Sequence, residues 1–170
     1  MLDCAVLRIN KPKGNVQQFY YRGDKGHHFM NWLVIIDANG YFVHSSCGYA
    51  GHLSDGTCLR LSPTIGPGQS LALRPNHKLM ADGAFPASAN ILTPVHARQQ
   101  PIAIRRQLNR NFSSERVKVE HRINDLRIYK VVARDSRFRG SMSFLPHVAH
   151  AVMALVNRRR KFIMTTRINI

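Results

Sequence analysis

Apolar residues fill the consecutive positions Trp32, Leu33, Val34, Ile35 and Ile36. Such a run suits a strand covered on both faces of a sheet. A second β-rich run follows Asp37, and Ala38-Asn39-Gly40 between the two runs carries an Asn-Gly pair that accepts the positive φ of a tight turn. The stretch WLVIIDANGYFVHSSC, residues 32–47, therefore predicts a β-hairpin. Upstream, AVLRIN at 5–10 reads as a strand running into a Lys-Pro-Lys-Gly turn at 11–14. Downstream, Pro63, Gly66, Pro67, Gly68 and Pro75 make 62–76 a loop. HKLMAD at 77–82 then reads as a short strand ending on Asp82, and strand ends are where α/β folds place functional side chains. Pro86 and Pro94 keep the next stretch irregular.

From 102 to about 128 the apolar period changes to a helical one, with two helices expected on either side of a break at 111–114. In the second, Val119, Ile123 and Leu126 recur at helical spacing, and Ser113 or Ser114 is a candidate N-cap. A short helix is expected at 56–61. A last one, over 145–156, runs into the basic stretch at 157–161. With strands first, helices last and no internal repeat, the class is α/β or α+β, a sheet flanked by helices.

The chain has 170 residues and 44% hydrophobic content, enough to bury the core of one domain. Its 25 Lys and Arg against 9 Asp and Glu give a formal net charge of +16, and the sequence pI is near 10.9. Basic residues spread over the whole length point to a polyanion as partner, because each phosphate contact releases counterions. The 3 cysteines, Cys4, Cys47 and Cys58, fit no disulfide or zinc spacing, which favours a reducing, intracellular setting. No membrane span and no secretory leader is expected.

Where carboxylates are this scarce, their placement is informative. Asp37 beside the hairpin turn and Asp24 in a Gly/Lys-rich loop have structural readings. Asp3, Asp82 and Glu120 each lie on or beside a predicted element, where a side chain can be aimed. In RVKVEHRINDLR, residues 116–127, helical steps of four and seven put Arg116, Glu120 and Arg127 on one line. One reading is an ordinary i, i+4 ion pair, worth only a few tenths of a kcal/mol. The other is that Glu120 ligates a hard cation, Mg²⁺ or Mn²⁺, while the arginines hold phosphates beside it.

Six stretches together resemble the nuclease domain of DDE-superfamily transposases of the Harbinger type. They are Asp3 with the strand into Lys-Pro-Lys, YRGDKGHH at 21–28, GYAGHLSD at 48–55, MADGAFP at 80–86, the Arg116, Glu120 and Arg127 spacing, and ALVN at 154–157. The resemblance covers residues 3 to 160. It implies an RNase H-like fold, a mixed β-sheet flanked by helices, over a domain at 1–161 with a C-terminal tail at 162–170. The N-terminal helical DNA-binding region of that family is absent from this sequence, so a separate DNA-binding partner protein is an expectation. Met1 and Leu2 alone precede Asp3, and Cys4-Ala5 stand where the family has Gly-Thr.

The resemblance also implies a catalytic set of Asp3, Asp82 and Glu120 holding divalent cations that activate water or a DNA 3′-hydroxyl for in-line displacement at phosphorus. Asp55 has three readings: it orients the site, caps the helix at 56–61, or serves as second ligand instead of Asp82. Asp82 is preferred because it ends a predicted strand. Arg116, Arg127, Lys25 and His28 are the expected nucleic-acid contacts, and the nucleus is the expected site of action. A non-catalytic DNA-binding protein of the same fold is the competing reading. A zinc site from His44, Cys47, His52 and Cys58 has suitable ligand types but poor spacing. GPGQS at 66–70 lacks the Lys-Ser/Thr ending of a phosphate loop and reads as turn. RRRK at 158–161 is either a nuclear import patch or a phosphate-binding helix end.

Overall fold

The expected hairpin is the centre of the fold. In the computed structural model, which describes residues 1–62, 69, 71, 73, 74, 76–96, 101–133 and 137–168, with backbone alone over 164–168, its strands are His27–Ile36 and Phe42–Ala50. The turn is fixed by Asp37, whose Oδ1 accepts from the Tyr41 amide at 2.8 Å while Gly40 N–H donates to its carbonyl at 3.1 Å. Gly40 alone carries positive φ there, at 80°; Asn39 does not. The glycine of the pair therefore supplies the left-handed residue.

In chain order the elements are β1 (Leu2–Arg8), α1 (Gln17–Tyr20), β2 (Tyr21–Arg22), β3 (His27–Ile36), β4 (Phe42–Ala50), α2 (Asp55–Leu61), β5 (Leu79–Met80), β6 (Ile91–Leu92), α3 (Ile102–Leu126) and α4 (Leu145–Ile168). Strand β3 pairs antiparallel with β1, β2 and β4. On its other edge β1 meets the β5 segment through a parallel bridge, Leu2 to Ala81, and β5 runs parallel to β6. The spatial order is β4-β3-β1-β5-β6, antiparallel in one half and parallel in the other.

Alternation along the strands sorts the core. Ala5, Leu7, Met30, Trp32, Val34 and Ile36 face α3 and α4, where they meet Val119, Ile123, Leu126, Leu145, Ala149 and Val152. Leu2, Leu33 and Ile35 face the other way, against Leu79, Ala81, Phe85 and Ile91. Burying each large apolar side chain of the α3 stripe contributes roughly 1.5–3 kcal/mol. Among the described residues no helix is long and apolar enough to cross a membrane.

Four expectations change. Strand β1 begins at Leu2 and not at Ala5, and the 77–82 strand shrinks to Leu79–Met80. No break interrupts α3: it contains neither Pro nor Gly, and Ser113 and Ser114 donate back to the carbonyls of Asn109 and Asn111 instead of capping a new helix. Helix α4 continues through the basic stretch to Ile168. Most of the 62–76 loop, and all of GPGQS except Gln69, lies outside the described residues.

Candidate active site

Asp3 shares a sheet face with Ala5 and Leu7, the face that α3 covers. Beyond the Leu2 to Ala81 bridge, β5 ends and Asp82 turns away, its carbonyl accepting from Phe85 N–H at 3.0 Å and its Oδ1 from Gly83 N–H. Among the described residues no strand pairs with β1 on that side from Asp3 to Leu7. The sheet therefore splits where two aspartates leave it, a usual place for a site in a sheet with parallel strands.

Two of the sequence stretches meet there. In GYAGHLSD, Gly51 passes so close to the start of β3 that a Cβ would lie 2.2 Å from the Phe29 carbonyl oxygen, so only glycine fits. Ser54 then caps α2, its hydroxyl accepting from Thr57 N–H at 3.3 Å. The expected capping role thus falls to Ser54, and Asp55 is the first helical residue. In MADGAFP, Phe85 is buried and Pro86 packs on Gly56 of α2, which holds Asp82 and Asp55 at one end of the sheet.

Helix α3 closes the site. Its buried stripe seats it on the sheet, and the adjoining face carries Arg116, Glu120, Asn124 and Arg127. Arg116 NH2 lies 3.0 Å from Asp82 Oδ2 and its Nε lies 3.1 Å from Glu120 Oε1. One guanidinium therefore joins two of the expected catalytic acids. A cleft of about 360 Å³ opens between α3, β1 and α2, with Asp3, Asp55 and Glu120 on its wall and Arg22, Lys25 and Arg127 around it. Asp82 is not on that wall and connects to it through Arg116. His28 is not there either; its ring packs against Tyr21 at 5.3 Å.

Electrostatics follow the geometry. Burial is the main cause that raises the Asp3 carboxyl above its usual range, reinforced by Asp55 and Asp82 and opposed by the Cys4 amide at 2.7 Å and by Arg116. Burial also raises Asp55, with Cys4, Arg22 and Lys25 opposing and Asp82 adding. Lys25 is lowered, first by burial and then by Arg22. Burial is thus the leading cause at both acids, and their mutual repulsion adds to it.

The donor set is all carboxylate oxygen, and it suits a hard divalent cation. As the side chains stand, no three His, Cys, Asp or Glu residues among the described residues are grouped closely enough to hold a metal ion. Arg116 lies between Asp82 and Glu120 and supplies the positive charge in this arrangement. The zinc alternative finds no support: His52 Nδ1 pairs with the Phe19 carbonyl at 2.5 Å, and Cys58 is buried against Asn31 and Cys4.

A family model described as DDE superfamily endonuclease matches residues 2–157. The chain belongs to the DDE superfamily of endonucleases. This DDE-superfamily domain is 29% identical over 104 residues to the Xenopus laevis protein named "Putative nuclease HARBI1", a match covering 59% of this chain and 28% of that protein. The Rattus norvegicus protein of the same name is 26% identical over 125 residues, covering 74% of this chain and 34% of that protein. The matches thus span about a third or less of these relatives' own length. No solved structure matches.

The remaining family stretches also have physical roles in the domain. In YRGDKGHH, Tyr21 and Arg22 pair with His28 and His27 across a tight turn, which brings Arg22 and Lys25 to the cleft. In ALVN, Asn157 clamps the start of β4: its Oδ1 accepts from Phe42 N–H at 2.9 Å and its Nδ2 donates to Phe42 O at 2.8 Å. Sequence reasoning did not single out Arg22, Cys4 or Asn124 as cleft residues. All three lie inside the stretches that carry the family resemblance, which is the one signal the sequence held for them.

Proposed function

We propose that this chain is a metal-dependent DNA nuclease domain with an RNase H-like fold. The observation carrying this reading is that Asp3, Asp55 and Glu120 line one cleft, while Arg116 ties Asp82 to Glu120 beside it. The mixed strand order, antiparallel around β3 and parallel around β5, supports the fold. Family membership and the nuclease relatives support the chemistry.

Asp3, Asp82 and Glu120, with Asp55 beside them, would hold Mg²⁺ or Mn²⁺. When bound, such ions activate a water or a 3′-hydroxyl and stabilise the leaving oxygen at phosphorus. Arg22, Lys25 and Arg127 hold the backbone phosphates of the strand as it enters the cleft. Arg116 positions Asp82 and Glu120 relative to each other and neutralises both between turnovers. A nuclear site of action and a separate DNA-binding protein partner belong to the same proposal.

Arg116 between two acids also favours the second reading, a DNA-binding domain that keeps the fold without chemistry. Nicking of supercoiled DNA separates the two. With Mg²⁺ or Mn²⁺ the wild-type chain is expected to nick, and Glu120→Gln is expected to abolish nicking with the domain still folded. Equal inertness of both proteins, each binding DNA with a steep salt dependence, would overturn the nuclease reading and leave the binder.

A further inference from the structure

Helix α3 has a second flank, turned away from the acid cleft. There a larger cleft of about 1120 Å³ lies between α3, the β3-β4 turn, the β5 segment and α4. Two arginines distant in sequence reach it. Arg122 comes from α3, with its side chain 13% exposed and its NH1 on Asp125 Oδ2. Arg160 comes from α4 and lies over the Tyr41 ring at 5.7 Å, pressed onto Gly40, where a Cβ would be 3.1 Å from its Cζ.

The Nε atoms of both arginines are buried without a hydrogen-bond partner, and they are the only charged groups among the described residues with such an atom. A buried guanidinium N–H without an acceptor is costly, and bringing two like charges together adds to that cost. Burial is the main cause that lowers Arg122; Asp125 opposes it, and Arg160 and Arg159 add to it. The acids facing the cleft are already engaged. Asp125 holds Arg122, Glu115 pairs with Lys118 at 2.6 Å, and Asp37 caps its own turn. Arg122 keeps Asp125 as a partner, and both arginines line the cleft, where an anion with several acceptor oxygens can meet them.

We propose that Arg122 and Arg160 form a phosphate-binding site, distinct from the acid cleft, for a phosphate carried on a nucleoside. A tetrahedral oxyanion offers oxygens to two guanidinium forks at once. Lys78 and His121 stand on the same wall, and Ile36, Val43 and Met80 give an apolar surface that an inorganic ion alone does not use. At about 1120 Å³ the cleft lies just above the roughly 300–1,000 Å³ typical of a small-molecule pocket and exceeds what one ion needs. The site contains none of the acids assigned to DNA cleavage, so it stands or falls apart from that reading.

The test observes the arginine Nε–H resonances by NMR in EDTA, with inorganic phosphate, a nucleoside monophosphate and a short DNA duplex as ligands, and chloride of equal ionic strength as control. The Arg122 and Arg160 signals are expected to move with phosphate and not with chloride. Arg160→Gln is expected to weaken phosphate binding about tenfold, and Arg160→Lys, which keeps charge but loses the fork, to fall between. If the duplex moves the same two signals at lower concentration than the nucleotide, the phosphate belongs to a nucleic-acid strand. If only the small ligands move them, it belongs to a free nucleotide. Equal response to chloride and phosphate, or unchanged phosphate affinity in Arg160→Gln, overturns the site.

Discussion

The guanidinium of Arg116 bridges Asp82 and Glu120, at 3.0 Å from one and 3.1 Å from the other. Under the proposed function a metal ion would compete with this built-in cation for the same two carboxylates.

Arg116→Ala is therefore expected to lower the melting temperature of the metal-free domain and to enlarge the rise produced by Mn²⁺. The side chains are 46%, 33% and 52% exposed for Arg116, Asp82 and Glu120, so the metal-free loss should be modest, about 1 kcal/mol or less after solvent screening. Thermal unfolding with and without Mn²⁺ measures both effects. An equal Mn²⁺ response in wild type and variant would show that Arg116 does not compete with the metal.

Asp3→Asn should make the domain more stable while removing cleavage. The folded-state pKa of Asp3 is raised above 3.8, mainly by burial and then by Asp55 and Asp82. A raised carboxyl holds its proton more tightly folded than unfolded, so wild type loses stability as pH rises from the ordinary value through the raised one. Asparagine keeps an oxygen for the Cys4 amide and has no charge to bury. The variant's advantage in melting temperature should be absent at pH values below 3.8, where the acid is neutral, and grow as pH rises past that value. A pH series of melting curves decides, and a constant difference across it would contradict the mechanism.

Gly51→Ala should be among the most damaging single changes in the chain. The new methyl would meet the Phe29 carbonyl at 2.2 Å and the Tyr20 carbonyl at 2.7 Å, both backbone and unable to rotate aside. The expected loss exceeds about 3 kcal/mol, to be read from chemical denaturation. Wild-type stability in this variant would mean that the turn after β4 has more room than described.

Asn157→Ala removes both side-chain bonds to Phe42 and leaves that peptide's N–H and C=O without them, at a cost of about 1–3 kcal/mol. Hydrogen exchange should show the effect first at the Phe42 amide. Unchanged protection there would mean that another acceptor takes over.

The central hairpin and the stripe of Val119, Ile123 and Leu126 were legible in the sequence because each rests on local period and turn chemistry. The length of α3 was not. Asn111, Ser113 and Ser114 favour a break by propensity, but serine hydroxyls can also fold back on the preceding turn, and here they do. Asp3, Asp82 and Glu120 were found as scarce acids on regular elements. The Arg116 to Asp82 contact joins positions far apart in sequence, and helical spacing reports only neighbours on one helix. Arg122 and Arg160 were invisible as a pair for the same reason: the packing of α3 beside α4 brings them together.

Trp32, the sole tryptophan, lies in the middle of β3 at 1% exposure, opposite Ala5 of β1 and Cys47 of β4. The ultraviolet emission of this chain consequently comes from an indole shielded from water by the helix layer packed on that face of the sheet. A red shift on adding denaturant would mark water reaching the central strand, whereas fraying at the far end of α4 would leave the spectrum unmoved.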